Sequence, residues 1–221
     1  MSLIVFEGID GSGKSTQFRL LCEHMDLIGQ TYTRIQFPQY DKPSAAPLQQ
    51  YLKGAYGTDP GAVNPYAAST FYAVDRFDSF KTIWGAPYHM GQMILADRYT
   101  TSNAVHQGAK LPKAERQAFF QWLDEFEHEK MELPKPNIVL YMDVPVEIAF
   151  LNILRRQDET GTLADIHEVG VDYLRACCEA AKEASEVYGW KLIRCTEDGA
   201  MRSEQEIHQE ILGIIKVAEP R

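Results

Sequence analysis

The sequence has little positive charge and no long apolar run, and each shortage argues against a class of protein. Its 22 Lys and Arg are outnumbered by 31 Asp and Glu, which gives a formal net charge of −9. Nucleic-acid binding relies on many Lys or Arg contacts to phosphates, so we expect no nucleic-acid partner. Membrane-spanning helices need about eighteen or more consecutive apolar residues, and no such run or secretory signal is present, so we expect no membrane association.

Cysteines are few, and their positions do not suggest a disulfide framework or a metal site. The four are Cys22, Cys177, Cys178 and Cys195. They form no C-x-x-C pair, and two adjacent cysteines on one predicted helix make a poor disulfide. Reduced thiols predict a cytoplasmic location. With 45% hydrophobic composition, a chain of 221 residues can bury a sizeable core, and we expect a single α/β domain over residues 1–221.

The most informative segment reads GIDGSGKST over residues 8–16 and matches the phosphate-binding pattern G-x-x-x-x-G-K-[ST]. An apolar run precedes it and apolar residues at helical spacing follow it, as a P-loop between a strand and a helix requires. Lys14 would reach the β- and γ-phosphates, and the Ser15 hydroxyl is placed for Mg²⁺. The alternative is a Gly-rich turn with a solvated lysine. The predicted ATP-binding residues are Gly8, Asp10, Gly11, Ser12, Gly13, Lys14, Ser15 and Thr16.

Hydrophobic patterns and capping signals predict alternating strands and helices along the whole chain. The predicted strands are residues 3–6, 31–37, 92–97, 137–143 and 190–194. The predicted helices are residues 14–27, 44–53, 64–84, 113–130, 146–156, 166–188 and 203–217. Ser44 and Ser203 are expected helix caps, Gly85-Ala86-Pro87 should break or kink the third helix, and residues 157–163 are expected to be a mobile loop.

The apolar strand predicted at residues 92–97 ends in an acidic residue, Asp97, which is the Walker B pattern. Asp97 would then orient Mg²⁺ or one of its water ligands beside the phosphates. The alternative is a surface pair of Asp97 and Arg98 in which the aspartate caps the following segment.

Five motifs in this order give the chain a resemblance to the bacterial thymidylate kinases over about residues 3–217. Besides the P-loop they are Phe37-Pro38, Asp75-Arg76, Asp97-Arg98-Tyr99 with Ser102-Asn103, and Leu133-Pro134-Lys135-Pro136. The resemblance implies transfer of the ATP γ-phosphoryl group to dTMP, with Mg²⁺ as cofactor, in a homodimer. It also implies a P-loop α/β/α fold with a five-stranded parallel sheet in the order 2-3-1-4-5, helices on both faces and a short lid at about residues 155–165.

The resemblance also assigns the acceptor site. Asp10 would accept a hydrogen bond from the sugar 3′-hydroxyl, Tyr72 would stack on thymine, Arg76 would bond the base, and the Asn103 amide would offer it one donor and one acceptor. Simpler interpretations remain open: a turn aspartate, a core tyrosine with a snorkelling arginine, and a loop asparagine. The implied dTMP site comprises Asp10, Phe37, Gln39, Tyr72, Arg76, Arg98, Asn103 and His106.

The resemblance also implies which residues supply catalytic positive charge and which hold the metal ion. Phosphoryl transfer needs positioning and neutralisation of charge, and the implied cations are Lys14, Arg98, Arg155 and Arg156. The implied metal-site residues are Ser15, Asp97 and Glu168. Glu168 and Asp165 fall where family members place acids near the sugar and magnesium, although acids are also ordinary in the first turn of a helix.

The sequence departs from the family pattern at several positions. Gln39 stands where many members carry Arg, His106 where Tyr is common, and Asn137 where Asp is common; we expect the last to be structural. One branch of the family has an arginine in the P-loop where this chain has Gly11. The catalytic cation is therefore expected in the lid. The rival functions are a kinase for another deoxynucleotide or nucleoside, and a GTPase-type switch, although no N-K-x-D base-reading motif is present.

Overall fold

A parallel sheet of five strands lies at the centre of the structure, in the order β2-β3-β1-β4-β5. This computed structural model describes residues 2–160 and 170–218, without the side chains of 60, 156–160, 217 and 218. The central strands are β1 (Ser2–Glu7), β2 (Tyr32–Gln36), β3 (Met93–Asp97), β4 (Ile138–Asp143) and β5 (Lys191–Arg194). A separate antiparallel hairpin consists of β6 (Thr196–Glu197) and β7 (Ala200–Met201). The predicted strand order is confirmed.

Helices cover the sheet, with α1 packed against α9 and α5 packed against α8. The described α-helices are α1 (Lys14–Leu27), α2 (Ala46–Leu52), α3 (Pro65–Ser79), α4 (Gly85–His89), α5 (Thr101–His106), α6 (Lys113–Asp124), α7 (Val146–Thr160), α8 (Val171–Tyr188) and α9 (Glu204–Ala218). Two π-helical segments, Phe80–Trp84 and Glu125–Lys130, extend α3 and α6. Short 3-10 turns lie at Pro43–Ala45, Pro60–Ala62 and Gly108–Lys110. Over the described residues, none of these helices has the length and apolarity that crossing a membrane requires.

The core lies around the central strands, because a parallel sheet covered on both faces buries both sides of each strand. Strand β3 is buried along its whole length, and β1 from Leu3 onward. Asn137 joins this core to the chain before β4: its Oδ1 accepts a hydrogen bond from Leu3 N at 2.8 Å, and its own N donates to Leu3 O. The expected structural role of Asn137 agrees with these contacts.

Parallel pairing brings several polar strand ends to one edge of the sheet. Phe6 is in register with Asp97, and Gln36 is also in register with Asp97. Glu7, the last residue of β1, therefore lies at the same edge as Asp97, the last residue of β3. Ligands of open α/β sheets bind at this carboxyl edge.

Three predicted helix boundaries were wrong. Ser44 does not cap α2, because it lies inside a 3-10 turn and its Oγ donates to Asp75 instead, at 2.9 Å. Of the break or kink predicted at Gly85-Ala86-Pro87, the break is absent: a π-helical turn precedes α4, in which Gly85 N donates to Phe80 O, and the chain remains helical to His89. Helix α7 continues to Thr160, through part of the expected loop.

The start of α8 also differs from its prediction. Gly170 is extended and α8 begins at Val171, so the helix does not run unbroken from residue 166. Residues 161–169, which include the last five residues of the expected lid (161–165, with Asp165) and Glu168, lie outside the described residues. Capping was predicted correctly elsewhere: Ser203 Oγ accepts from Glu206 N at 3.2 Å, and Asn64 Oδ1 accepts from Tyr66 N at 2.8 Å.

Candidate active site

The loop between β1 and α1 has the backbone shape of an anion-binding turn. Gly11 and Gly13 have φ values of 76° and 82°, a region that side chains with a Cβ rarely adopt. A Cβ on Gly11 would also lie 2.1 Å from Ala149 O in α7. Because Gly13 precedes the first residue of α1, the loop ends at a helix N-terminus, whose free backbone N–H groups favour an anion such as phosphate.

A cleft of about 410 Å³ opens beside this loop. Asn152 in α7 fixes one wall, since its Nδ2 donates to Gly11 O at 2.9 Å. Residues of the β6–β7 hairpin and of the start of α9 form another part of its wall. We call this cavity the P-loop cleft; its lining residues are Ile9, Asp10, Gly11, Ser12, Gly13, Lys14, Ser15, Thr16, Gln17, Asn152, Cys195, Met201, Arg202, Glu204 and Ile207.

A second cleft of about 300 Å³ lies across the carboxyl ends of β2 and β3, and we call it the acceptor cleft. Phe37 and Tyr72 supply aromatic walls, and the Phe37–Pro38 peptide bond is cis. The two clefts share Asp10, Lys14 and Ser15, so they meet at the P-loop lysine. The acceptor cleft is lined by Asp10, Lys14, Ser15, Gln36, Phe37, Pro38, Tyr40, Leu52, Tyr72, Arg76, Asp97, Arg98, Tyr99, Ser102, Asn103 and His106.

Lys14 and Asp97 form a buried ion pair where the clefts meet. Burial is the largest influence on Lys14 and lowers its pKa, with a further lowering from Arg98 and an opposing effect from Asp97. A positive charge held here without full hydration favours binding of an anion, because the anion supplies the solvation that burial removed.

Arg98 is held between two carboxylates in a conformation that a non-glycine residue rarely adopts, with φ at 66°. Its Nη2 donates to Asp10 at 2.7 Å and its Nη1 donates to Glu7 at 3.1 Å. Burial alone would lower the pKa of Arg98, but the negative charges of Asp10, Glu7 and Asp97 raise it above its usual value. The guanidinium is therefore a fixed positive charge beside the P-loop.

The carboxylate of Glu7, which is fully buried, supports both Arg98 and the start of the P-loop. Its Oε1 accepts from Gly8 N at 2.9 Å in addition to Arg98, and its Oε2 accepts from Thr101 Oγ1 at 2.7 Å and Ser102 Oγ at 2.6 Å. A buried carboxylate requires this many partners to offset the loss of water. Glu7 thus links the P-loop, Arg98 and the start of α5.

The far end of the acceptor cleft contains a second buried network. Arg76 is 1% exposed and Glu127 is fully buried, and they form a paired contact at 2.7 and 2.6 Å. Asn103 Nδ2 donates to Glu127 at 3.0 Å and to Ser69 O at 3.2 Å. The expectation that Asn103 offers the cleft a donor is therefore wrong, because both amide hydrogens already have buried acceptors; the oxygen remains.

His106 lies on the acceptor cleft beside Arg98, with its Nε2 3.1 Å from Arg98 Nη1. A guanidinium can only donate, so this Nε2 accepts and the ring proton is on Nδ1. That atom lies 3.7 Å from the Sγ of Cys177 in α8. The backbone carbonyl of His106 accepts from Tyr173 Oη at 2.8 Å. The imidazole is thus held in one orientation from two sides.

Several predicted site residues lie elsewhere. Gln39 is not among the residues lining the acceptor cleft: its backbone N donates to Asp75 at 2.8 Å, and its Oε1 is buried without a partner in the described part of the chain. Gly8 begins the P-loop and contacts Glu7. Arg155 is exposed near the end of α7, whereas the side chain of Arg156 and all of Glu168 lie outside the described residues.

Sequence reasoning missed the two buried glutamates and the hairpin wall. Glu127 occurs in the segment EFEHEK, a charge run that is typical of a solvated helix face. Glu7 had a stronger signal, because it ends an apolar strand directly before the P-loop. Met201 ends a hairpin too short for strand periodicity to detect, and Arg202 directly follows it.

Comparison with known proteins gives a consistent result. A family model described as thymidylate kinase matches residues 6–211. A thymidylate kinase of Mycobacterium tuberculosis is 32% identical over 148 residues, which cover 66% of this chain and 68% of that protein. A probable thymidylate kinase of Pyrobaculum aerophilum is 26% identical, covering 98% and 97% of the two chains. Since the relatives include bacterial and archaeal proteins, the bacterial branch is not confirmed.

A solved structure has the same fold. The structure of thymidylate kinase from Candida albicans covers 98% of this chain and 91% of that one, with a TM-score of 0.70 and 19% sequence identity. At that identity the likeness concerns the fold alone.

Proposed function

The chain belongs to the thymidylate kinase family, and on that basis we propose that it transfers the γ-phosphoryl group of ATP to dTMP, giving dTDP and ADP. The observation that carries this proposal is the junction of two clefts at Lys14 and Ser15. A kinase must bring a donor and an acceptor phosphate together, whereas a nucleotide switch needs only one nucleotide site. ATP is assigned to the P-loop cleft and dTMP to the acceptor cleft.

Lys14 and Arg98 are assigned the charge-stabilising roles. Phosphoryl transfer depends on positioning and on neutralising charge on the transferred group, more than on covalent chemistry by the protein. Lys14 would leave Asp97 for the stronger negative charge of the triphosphate. Arg98, held by Asp10 and Glu7, would remain between the two phosphates without having to reorganise. The lid arginines Arg155 and Arg156 would add positive charge on the donor side.

Residues present at the junction fit a magnesium ion. Mg²⁺ prefers oxygen ligands, keeps several waters and shares substrate phosphates, so few protein ligands are needed. The Ser15 hydroxyl lines both clefts and the Asp97 carboxylate lines the acceptor cleft beside it. We assign Ser15 and Asp97 to hold the ion. Glu168, which lies outside the described residues, is assigned as a third ligand. When bound, the ion would offset negative charge on the phosphates.

The acceptor residues divide by the part of dTMP they would contact. Tyr72 and Phe37 would enclose the base, Arg76 and Asn103 would bond its edge, and Asp10 and His106 would lie along the sugar. Gln39 does not line the acceptor cleft, and its role as a phosphate contact stays a prediction.

The proposed assembly is a homodimer, which sedimentation equilibrium would test. Four buried, unpaired thiols suit the cytoplasm that we propose as its location.

The test is an ADP-release assay with ATP and a panel of acceptors: dTMP, dUMP, dCMP and thymidine. Turnover should be highest with dTMP and should require an acceptor. Preference for dCMP or for thymidine would favour a kinase of another substrate. Tight GTP binding without acceptor-dependent turnover would favour the switch.

A further inference from the structure

Glu127 lies behind the acceptor cleft, and its carboxylate contacts two of the residues that line it. It belongs to the π-helical segment Glu125–Lys130, a geometry that is often found at functional sites. Its Oε2 accepts from Arg76 Nε, and its Oε1 accepts from both Arg76 Nη2 and Asn103 Nδ2, at 2.6–3.0 Å. One fully buried carboxylate thus holds both groups.

The first consequence is the orientation of the Asn103 amide. Its nitrogen lies next to Glu127 Oε1 and Ser69 O, and both of these can only accept hydrogen bonds. The opposite orientation would place the amide oxygen against two acceptors. Asn103 Oδ1 has no partner in the described part of the chain, so Asn103 contributes an acceptor to the cleft that it lines.

The second consequence concerns Arg76. A guanidinium has five N–H donors, and Glu127 takes two of them while Tyr99 O takes a third at 3.3 Å. The remaining two have no acceptor among the described residues, and Arg76 lines the acceptor cleft. Arg76 and Asn103 together therefore present donors beside an acceptor.

This arrangement fits one type of pyrimidine edge. Thymine and uracil have a carbonyl acceptor at O4 next to a donor at N3–H. Cytosine has the reverse, an amino donor next to an acceptor at N3. Polar groups that are fixed in position discriminate strongly, because the wrong base leaves them unpaired.

We infer that Glu127 is a positioning residue that makes the acceptor site selective for a thymine-type edge over cytosine, by fixing the Asn103 amide and the Arg76 guanidinium. The inference rests on the proposed function, which puts the acceptor base in this cleft. Glu127 acts through its neighbours and does not touch the substrate.

Glu127→Gln tests the inference, because it keeps the shape and replaces one acceptor by an amide donor. The new amide nitrogen at position 127 can donate to Asn103 Oδ1 if the Asn103 amide rotates. That rotation would turn the Asn103 nitrogen toward the cleft. We expect the ratio of kcat/KM for dTMP to kcat/KM for dCMP to fall by about tenfold or more, mainly through a higher KM for dTMP. The KM for ATP should stay unchanged. Glu129→Gln, an exposed change in the same segment, is the matched control and should keep the wild-type ratio.

The ratio separates positioning from structural damage, because loss of folded enzyme would lower turnover of both acceptors equally. An unchanged ratio in a folded Glu127→Gln enzyme would overturn the inference. If that variant does not fold, Glu127→Asp keeps the charge near Arg76 while withdrawing the carboxylate from Asn103, and it should lose discrimination in the same direction. Failure of the proposed function would look different, since the wild-type protein itself would then not turn over dTMP.

Discussion

Glu7 Oε1 accepts a hydrogen bond from Arg98 Nη1 at 3.1 Å, and it is the fully buried partner of a cation that borders the cleft. The same carboxylate binds the hydroxyls of Thr101 and Ser102. The positive-φ conformation of Arg98 is therefore supported by contacts on the side away from the substrate. Strained conformations at such sites persist only when the surroundings over-determine them.

Glu7→Gln should lower kcat while leaving the protein folded. The hydroxyls of Thr101 and Ser102 can rotate to accept from the new amide, but Arg98 loses a charged partner. A hydrogen bond to a charged group contributes about 1.5–3 kcal/mol, so we expect kcat to fall by about 10- to 150-fold at most. Steady-state kinetics at saturating substrates measure this, with exposed Glu125→Gln as control. Wild-type kcat in a Glu7→Gln enzyme would mean that Arg98 is held adequately by Asp10.

Gly11→Ala should impair the enzyme through helix α7. The new Cβ would meet Ala149 O at 2.1 Å, and the residue would have to keep a φ of 76°. The clash acts against the present position of α7, which carries Arg155, and the positive φ strains the P-loop itself. We expect a loss of about 1–3 kcal/mol in the free energy of unfolding, together with reduced kcat.

A glycine in open space provides the control for that change. Gly213 lies in α9, where an added Cβ would have nothing within 4 Å, and its φ is ordinary. Gly213→Ala should leave kcat unchanged and stabilise the fold by up to about 1 kcal/mol. Thermal and urea denaturation of both variants measure the difference. Equal stability of Gly11→Ala and wild type would show that α7 moves away without cost.

Lys110 should give the stability a distinctive dependence on pH. Burial is the main cause that lowers its pKa to about 8, and its Nζ lies 2.5 Å from Tyr51 Oη. Between about pH 8 and the ordinary value of 10.5, the unfolded chain binds this proton and the folded protein does not. The contribution of Lys110 to stability is therefore unfavourable below pH 8 and becomes less so as pH rises.

Lys110→Met removes that titration and isolates its effect. The free energy of unfolding of wild type minus that of Lys110→Met should increase from pH 8 to pH 10, by about 1.4 kcal/mol per unit at most. Urea denaturation at four pH values measures the difference, in which the titration of the four buried cysteines cancels. A flat difference would mean that the lysine keeps its proton in the folded protein.

Most of the fold could be predicted from the sequence, because parallel strands and P-loop helices carry local signals. Asn64 and Ser203 provided caps, and the apolar runs identified the five strands. The break predicted at Pro87 was wrong because of the turn that precedes it. The π-helical turn before it changes the hydrogen-bond register, so the missing N–H of proline no longer interrupts the helix.

The site was predicted less completely, since sequence patterns identify residue types but not their partners. Lys14, Arg98 and Tyr72, which the sequence assigned to the nucleotide sites, all line the acceptor cleft. The buried acids Glu7 and Glu127 were missed because glutamate is ordinarily exposed. Their burial depends on arginines 91 and 51 residues away along the chain, and no local pattern encodes such a pairing.

His106 should help the acceptor site to exclude ribonucleotides. The imidazole lies on the cleft, fixed between Arg98 and Cys177, so it cannot easily move to admit an extra hydroxyl at the 2′-carbon. His106→Gly should therefore raise turnover of UMP relative to dUMP, a pair that differs only in that hydroxyl. One steric contact is worth about 1–3 kcal/mol, so we expect the ratio to change by about 5- to 150-fold.

His106→Gln separates the steric effect from the contact with Arg98. Glutamine keeps much of the bulk and can still accept from the guanidinium through its Oε1, so the preference for the deoxynucleotide should be retained. The glycine variant loses both properties, and its kcat with dUMP should also fall because Arg98 is less restrained. A discrimination ratio that is unchanged in His106→Gly would place the 2′-carbon elsewhere in the cleft. Loss of discrimination in both variants would instead assign it to the imidazole ring itself and not to its volume.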